Sequence, residues 1–304
     1  MNLTSPERTR SRREDSLALR SEPGARPASS PWPLLWLTVL SLDAPAVAVL
    51  WQLLFARSFR VPLSPDITIL LAMVVWLIYV ADRALDTLKV PFEGAEPARH
   101  IFYRRHVWVF LVPFSVVFVL AAWMSLTKLD PRTFRNGIVI LLAVGAYFLV
   151  THLLSPGRER LPKEMLVGVL FALGTCFPVW EHASPGASLM LAPYLIFTAL
   201  CWLNCVAIEY EEWTRLRHRQ FGPPHSWTIW MGRHFSFITF ATAVIAAGLI
   251  ASGFGRPTWQ LLTCELVSAL ALALIRYKHK SLSTDKFRVL MDLALFTPLL
   301  FLPF

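Results

Sequence analysis

The apolar positions of this chain fall into long runs separated by short polar or Pro/Gly-containing breaks. Nine such runs are read, at approximately 33–56, 61–81, 107–126, 136–152, 164–180, 188–208, 235–254, 258–275 and 287–304. Each approaches the ~20 residues a helix needs to cross about 30 Å of hydrocarbon. In lipid a spanning segment must satisfy its own backbone hydrogen bonds, and these runs lack the alternation of a membrane barrel strand. The pattern therefore predicts an all-α, polytopic membrane protein with nine transmembrane helices.

Composition agrees: 55% of the 304 residues are hydrophobic and only 16% charged, against about 25% charged in ordinary soluble domains. Lys and Arg are retained on the cytoplasmic side of short loops. With the N-terminus inside, 23 of the 29 basic residues fall on the cytoplasmic side and six on the other, which predicts a cytoplasmic N-terminus and a C-terminus on the opposite side. The net charge of +9 is spread over five segments that flank apolar runs. That distribution suits anionic headgroups or a phosphorylated ligand and gives no reason to expect nucleic acid. Residues 1–31, rich in Arg, Ser, Pro and Glu without hydrophobic periodicity, read as a disordered basic tail ahead of one membrane domain over 32–304. Ser11-Arg12-Arg13 is followed by Glu14 and Asp15 where a signal core would be apolar, so no cleavage is expected. The four cysteines all lie inside predicted spans, and no disulfide or zinc framework is implied.

Ionisable groups at the ends of membrane helices carry the candidate chemistry. The second run ends with Asp82 and Asp86, four residues apart on one helical face, where together they could hold a hard cation. Such a pair is also ordinary polarity for a helix end. Lys89 and the dense patch Arg104-Arg105-His106 follow, groups suited to phosphate oxygens. The sixth run ends Asn204-Cys-Val-Ala-Ile-Glu209-Tyr-Glu211-Glu212, a second acidic cluster on the same side, with Glu209 and Glu212 three residues apart and Asn204 better aligned with Glu211. Lys163 stands one residue before the fifth run, on that same side. Two acidic clusters accompanied by basic residues form a candidate Mg²⁺-diphosphate site. Inside the runs, Asp43 is expected mid-span, two residues before Pro45, where it either accepts bonds from freed backbone or lines a cavity. Glu265 and Asp292 are expected as polar contacts between helices. Trp76, Tyr79, Phe171 and Trp202 are read as tunnel lining or as packing.

These residues resemble the UbiA family of intramembrane prenyltransferases over most of the chain. That family has nine helices and two acidic motifs, after helices two and six. Its NxxxDxxxD motif would fall on Ile78, Asp82 and Asp86, with Ile78 in the place of Asn; its second motif would fall on Glu209 and Glu212, with Leu216 in the third place. Ser155-Pro156, Lys163-Glu164, Gly168 and Gly174 resemble the family's entry to helix five, and Arg288 to Pro298 its ending. The resemblance implies a UbiA-like bundle and a transferase in which Asp82, Asp86, Glu209 and Glu212 hold Mg²⁺ on a polyprenyl diphosphate. Asn204, Lys89, Arg104, Arg105, His106 and Lys163 would then contact substrate, and a lipophilic acceptor of unknown identity would capture the allyl cation. A non-catalytic scaffold or lipid-binding protein is the alternative, and a transporter a second, although no internal repeat supports the latter.

Overall fold

A computed structural model describes residues 40–89, 107–154, 162–183, 187–215, 223–253 and 258–302. Every regular element among them is helical: α1 (Asp43–Ser58), α2 (Pro65–Lys89), α3 (Val107–Lys128), α4 (Pro131–Phe148), α5 (Lys163–His182), α6 (Ala187–Arg215), α7 (Ser226–Arg233), α8 (Phe235–Ala251), α9 (Trp259–Tyr277) and α10 (Thr284–Leu293). The helices α2, α3, α4, α5, α6 and α9 are each long and apolar enough to cross a membrane, and α7 with α8, bent by 72°, makes a seventh if taken as one span. Exposed apolar side chains such as Val112, Phe118, Trp123, Phe237 and Phe240 crowd the outer faces of α3 and α8. Water would not tolerate so continuous a surface, whereas lipid would.

Both ends of the expected series differ from the apolar runs. α1 begins at Asp43, after a turn at Leu40–Ser41 in which Ser41 has a left-handed φ of 59°. The expected segment 33–39 lies outside the described residues. Asp43 is therefore the first residue of its helix, the place where a carboxylate meets unpaired N–H groups. Pro45 also fits the first turn, where its missing N–H costs nothing. At the other end, run 287–304 is not one helix over its described residues: α10 ends at Leu293 and a 3₁₀ turn follows at Thr297–Leu300, with Pro298 as its second residue. Elsewhere the termini carry recognisable signals. Asp130 caps α4, accepting from the backbone N–H groups of Arg132 and Thr133 at 2.9 and 3.0 Å, with Pro131 at the first helical position.

The helices antiparallel to one another place Asp43, Asp82, Glu209 and Arg276 at one end of the bundle, the acidic end, and Arg57, Asp130 and Glu181 at the other. α5 and α6 pack closely: a Cβ on Gly168 would stand 2.8 Å from the backbone of Trp202. The main core joins α1, α5, α6, α8, α9 and α10. At its centre Trp51 stacks on Phe197 with ring centroids 4.5 Å apart and donates its indole N–H to the Leu295 carbonyl at 2.7 Å. Thr297 donates to the Cys264 carbonyl at 3.0 Å and lies 2.7 Å from the Ser268 hydroxyl, fastening the C-terminal turn to α9. α4, by contrast, packs along α5 and runs along neither α2 nor α3.

Candidate functional site

A cavity of about 290 Å³ fills the space between α2, α4, α5 and α6, and its walls are almost wholly apolar: Val74, Ile78, Leu141, Val144, Leu170 and Phe171 are among them. Its lining runs from Ile67 to Tyr79 on α2 and from Thr133 to Tyr147 on α4, lengths of about 18 and 21 Å at 1.5 Å per helical residue. Tyr79 and Phe171 line it, whereas Trp76 is turned toward the Leu40 carbonyl, 3.1 Å away, and Trp202 packs against Gly168. Cys201 and Cys205 also line it. At the far end Glu181 gathers the hydroxyl of Thr133 and the amide of Asn136, each at 2.8 Å, and Arg132 at 3.2 Å, which ties α4 to α5.

Ile78 and Cys205 bring the cavity to within one helical turn of Asp82 and Glu209 respectively. Asp82, with 26% of its side chain exposed, has Oδ1 3.3 Å from His152 Nε2 and accepts from the Tyr147 hydroxyl at 3.4 Å. Neither partner was expected from the sequence. They are five residues apart, Tyr147 on α4 and His152 in the π turn at Leu149–Leu154 that continues it. A five-residue repeat is the π spacing, and such turns recur at functional sites. Lys163 Nζ lies 3.5 Å from Glu209 Oε2, with both side chains about a third exposed. Ile78 and Cys205, one turn before Asp82 and Glu209, line the same cavity, so both acidic clusters border one region of the bundle.

The rest of the second cluster divides. Glu212 accepts from Arg288 at 2.9 Å. Glu211, only 2% exposed, is gripped by Arg215 at 2.5 Å and by Arg276, and Arg215 continues to the carbonyls of Leu282 and His279 at 2.8 and 2.6 Å. Glu211 is thus the tie between α6, α9 and the segment after α9. Glu164, at the start of α5, accepts from Thr228 on α7 at 2.6 Å. Arg104, Arg105 and His106 lie outside the described residues, as do the side chains of Asp86 and Lys89, although α2 extends through both positions.

A second polar group lies deeper. Arg83, 5% exposed, bonds the Ser41 hydroxyl at 3.0 Å, covers the Tyr79 ring at 4.2 Å and approaches Asp43 at 3.5 Å. Asn204, expected beside the acidic motif, instead donates to Asp292 Oδ1 at 3.0 Å. This α6–α10 bond is the interhelical contact expected of Asp292. Glu265 does not make one, since its two buried oxygens have no hydrogen-bond partner among the described residues. Asp43, Tyr79, Asn204 and Asp292 all line the cavity.

Among the described residues no three His, Cys, Asp or Glu side chains converge as a ready metal site. Compared with family models, curated proteins and solved structures, the chain gives no significant match.

Proposed function

We propose that this chain is a UbiA-like intramembrane prenyltransferase, moving a prenyl group from a polyprenyl diphosphate to a lipophilic acceptor. The observation that carries this reading is the long apolar cavity that stops one helical turn beneath Asp82 and Glu209. An isoprenoid tail is apolar and elongated, and its diphosphate needs cations and metal-binding carboxylates at one end only. On this reading segments 33–56 and 287–304 complete nine crossings, with a cytoplasmic N-terminus and the C-terminus opposite.

The donor set suits Mg²⁺. Asp82 and Glu209 offer hard carboxylate oxygens on partly exposed side chains. Asp86 and Glu212 complete the set, the latter with Oε1 already accepting from Arg288. When bound, Mg²⁺ neutralises charge that builds on the departing diphosphate. Lys163, beside Glu209, binds the same phosphate oxygens, with Lys89, Arg104, Arg105 and His106 supplying further positive charge from the loop after α2. His152 and Tyr147 fix the orientation of Asp82. The apolar walls keep water from the allyl cation, which leaves the acceptor as the nucleophile at hand.

The test is Mg²⁺-dependent stabilisation of the purified protein by geranylgeranyl diphosphate, in wild type and Asp82→Asn. At about 100-fold excess over Kd, wild type should gain roughly 2.7 kcal/mol and the variant much less. Equal responses, or none in wild type across several chain lengths, refute the transferase and favour a non-catalytic scaffold.

A further inference from the structure

Arg83, Lys163, Arg215, Arg276 and Arg288 each face a carboxylate. Arg233, Lys278 and Lys280 differ. All three are exposed, and their side chains have no hydrogen-bond or ion-pair partner among the described residues. They come from two separate stretches, Arg233 from the end of α7 and the lysines from the turn that follows α9. Yet they line one open recess of about 630 Å³, on the end of the bundle that carries Arg276. No Asp or Glu is among the residues lining it. Retention of basic residues on one side of a membrane accounts for the presence of these charges. It does not account for their convergence on one concavity.

The surroundings of the recess set the chemistry of its ligand. α7 and α8 meet at 72°, so with α8 crossing lipid α7 lies near the membrane plane. Trp227 and Trp230 on α7 are exposed, as is Tyr277 beside the lysines, which is the character of an interfacial aromatic belt. From the bend, the exposed side chains of Phe237, Phe240 and Val244 run along one outer face of α8 as an apolar strip. The recess therefore sits at headgroup depth with a hydrocarbon surface leading away from it. A lipid phosphate meets the three cations while its acyl chains follow the strip. A zwitterionic lipid would bring an ammonium for which the lining holds no carboxylate.

We propose that Arg233, Lys278 and Lys280, where α7, α8 and α9 meet, form a binding site for the phosphate headgroup of an anionic phospholipid from the surrounding leaflet. The site lies on the outside of the bundle, apart from the cavity and from Asp82 and Glu209. It rests on helices that cross a membrane and is independent of the transferase reading.

The full-length protein in detergent is incubated with equimolar dioleoylphosphatidylglycerol and dioleoylphosphatidylcholine. Lipid retained through gel filtration is then extracted and quantified by mass spectrometry. A cation at a membrane surface favours anionic lipid up to about fivefold, and about twofold when salt screens it, so three should give wild type a preference of about tenfold. Arg233→Gln with Lys278→Gln and Lys280→Gln should bring the ratio near one. Its midpoint in a graded SDS–detergent mixture should stay at the wild-type value, because these side chains are exposed and unpaired. Lys280→Gln alone should lower the ratio by about half, which reads the site even if the triple variant folds poorly. Lys128→Gln with Arg132→Gln and Arg135→Gln removes the same charge from exposed positions at the opposite end and should leave the preference intact. A large excess of inorganic phosphate at fixed ionic strength should not displace the phosphatidylglycerol, because it lacks the acyl contacts.

No preference in wild type, or a preference that survives the triple substitution, overturns the proposal. An equal loss in the opposite-end variant also overturns it and reduces the effect to net charge. Displacement by inorganic phosphate overturns it in favour of a water-facing anion site.

Discussion

The two glutamates flanking Tyr210 should respond to the same substitution in opposite ways. In Glu211→Gln the charge that holds Arg215 and Arg276 is removed from a side chain only 2% exposed. Arg276 is itself 13% exposed and would keep its positive charge against the Tyr210 ring with no carboxylate to meet it. Breaking a buried pair by neutralising one partner costs about 3–5 kcal/mol. Because Arg215 also anchors the carbonyls of Leu282 and His279, the segment leading into α10 should loosen with it. Among the described residues Glu209 pairs with Lys163 at 3.5 Å, with both side chains about a third exposed, and a pair so hydrated contributes about 0–1 kcal/mol. Denaturation in a graded SDS–detergent mixture, followed by tryptophan fluorescence, compares the two variants under one set of conditions. Glu211→Gln should unfold at a distinctly lower SDS fraction, and Glu209→Gln should track wild type. Equal midpoints, or a Glu209 variant that is the less stable, would refute the division of this motif into a structural and a ligand-facing member.

Gly168→Ala should destabilise the α5–α6 contact by about 1–3 kcal/mol, because the added methyl meets the Trp202 backbone, which cannot rotate away; the same unfolding titration reads it. Hydrogen bonds from Thr133, and then from the Arg132 backbone N–H, hold the Asp130 carboxyl below its ordinary pKa. A depressed folded value stabilises above the unfolded pKa of about 3.9. Wild type should therefore lose this increment as the pH falls from about 4 through the depressed value, whereas Asp130→Ala, already without the cap, should lack that component of acid sensitivity when midpoints are compared at pH 3 and 6. A reporter fused after Phe304 should lie on the side opposite the N-terminal tail; a cytoplasmic signal would disprove the count of nine crossings.

Much of this architecture was legible in the order of apolar runs, because length and hydrophobicity alone decide which helices can span lipid. The runs could not show where α1 starts. Hydrophobicity carries through the Leu40–Leu42 turn, and the start is marked by the positive φ of Ser41 and by Asp43 and Pro45 in the first turn. The Asp82 and Glu209 positions at one end of the bundle followed from the order of the apolar runs, but their partners did not. Tyr147 and His152 lie five apart, which puts them about 140° apart on an α-helix at 100° per residue; only the π turn brings both to Asp82. Asn204 was aligned with Glu211 by periodicity, yet periodicity says nothing of what faces a helix. Its partner comes from α10, 88 residues away in the chain. Likewise, three clustered glutamates look alike in sequence, and only packing separates the buried Glu211 from the wetter Glu209.

α4 leans on α5 but runs along neither α2 nor α3, and the cavity occupies the resulting gap. On the proposed reading, a ligand that enters through that gap travels sideways out of the bilayer without crossing water. Its occupancy is then governed by its mole fraction among the surrounding lipids, not by its molarity in the bulk. Diluting a fixed amount of ligand with inert phospholipid should empty the cavity even though the total concentration in the tube is unchanged.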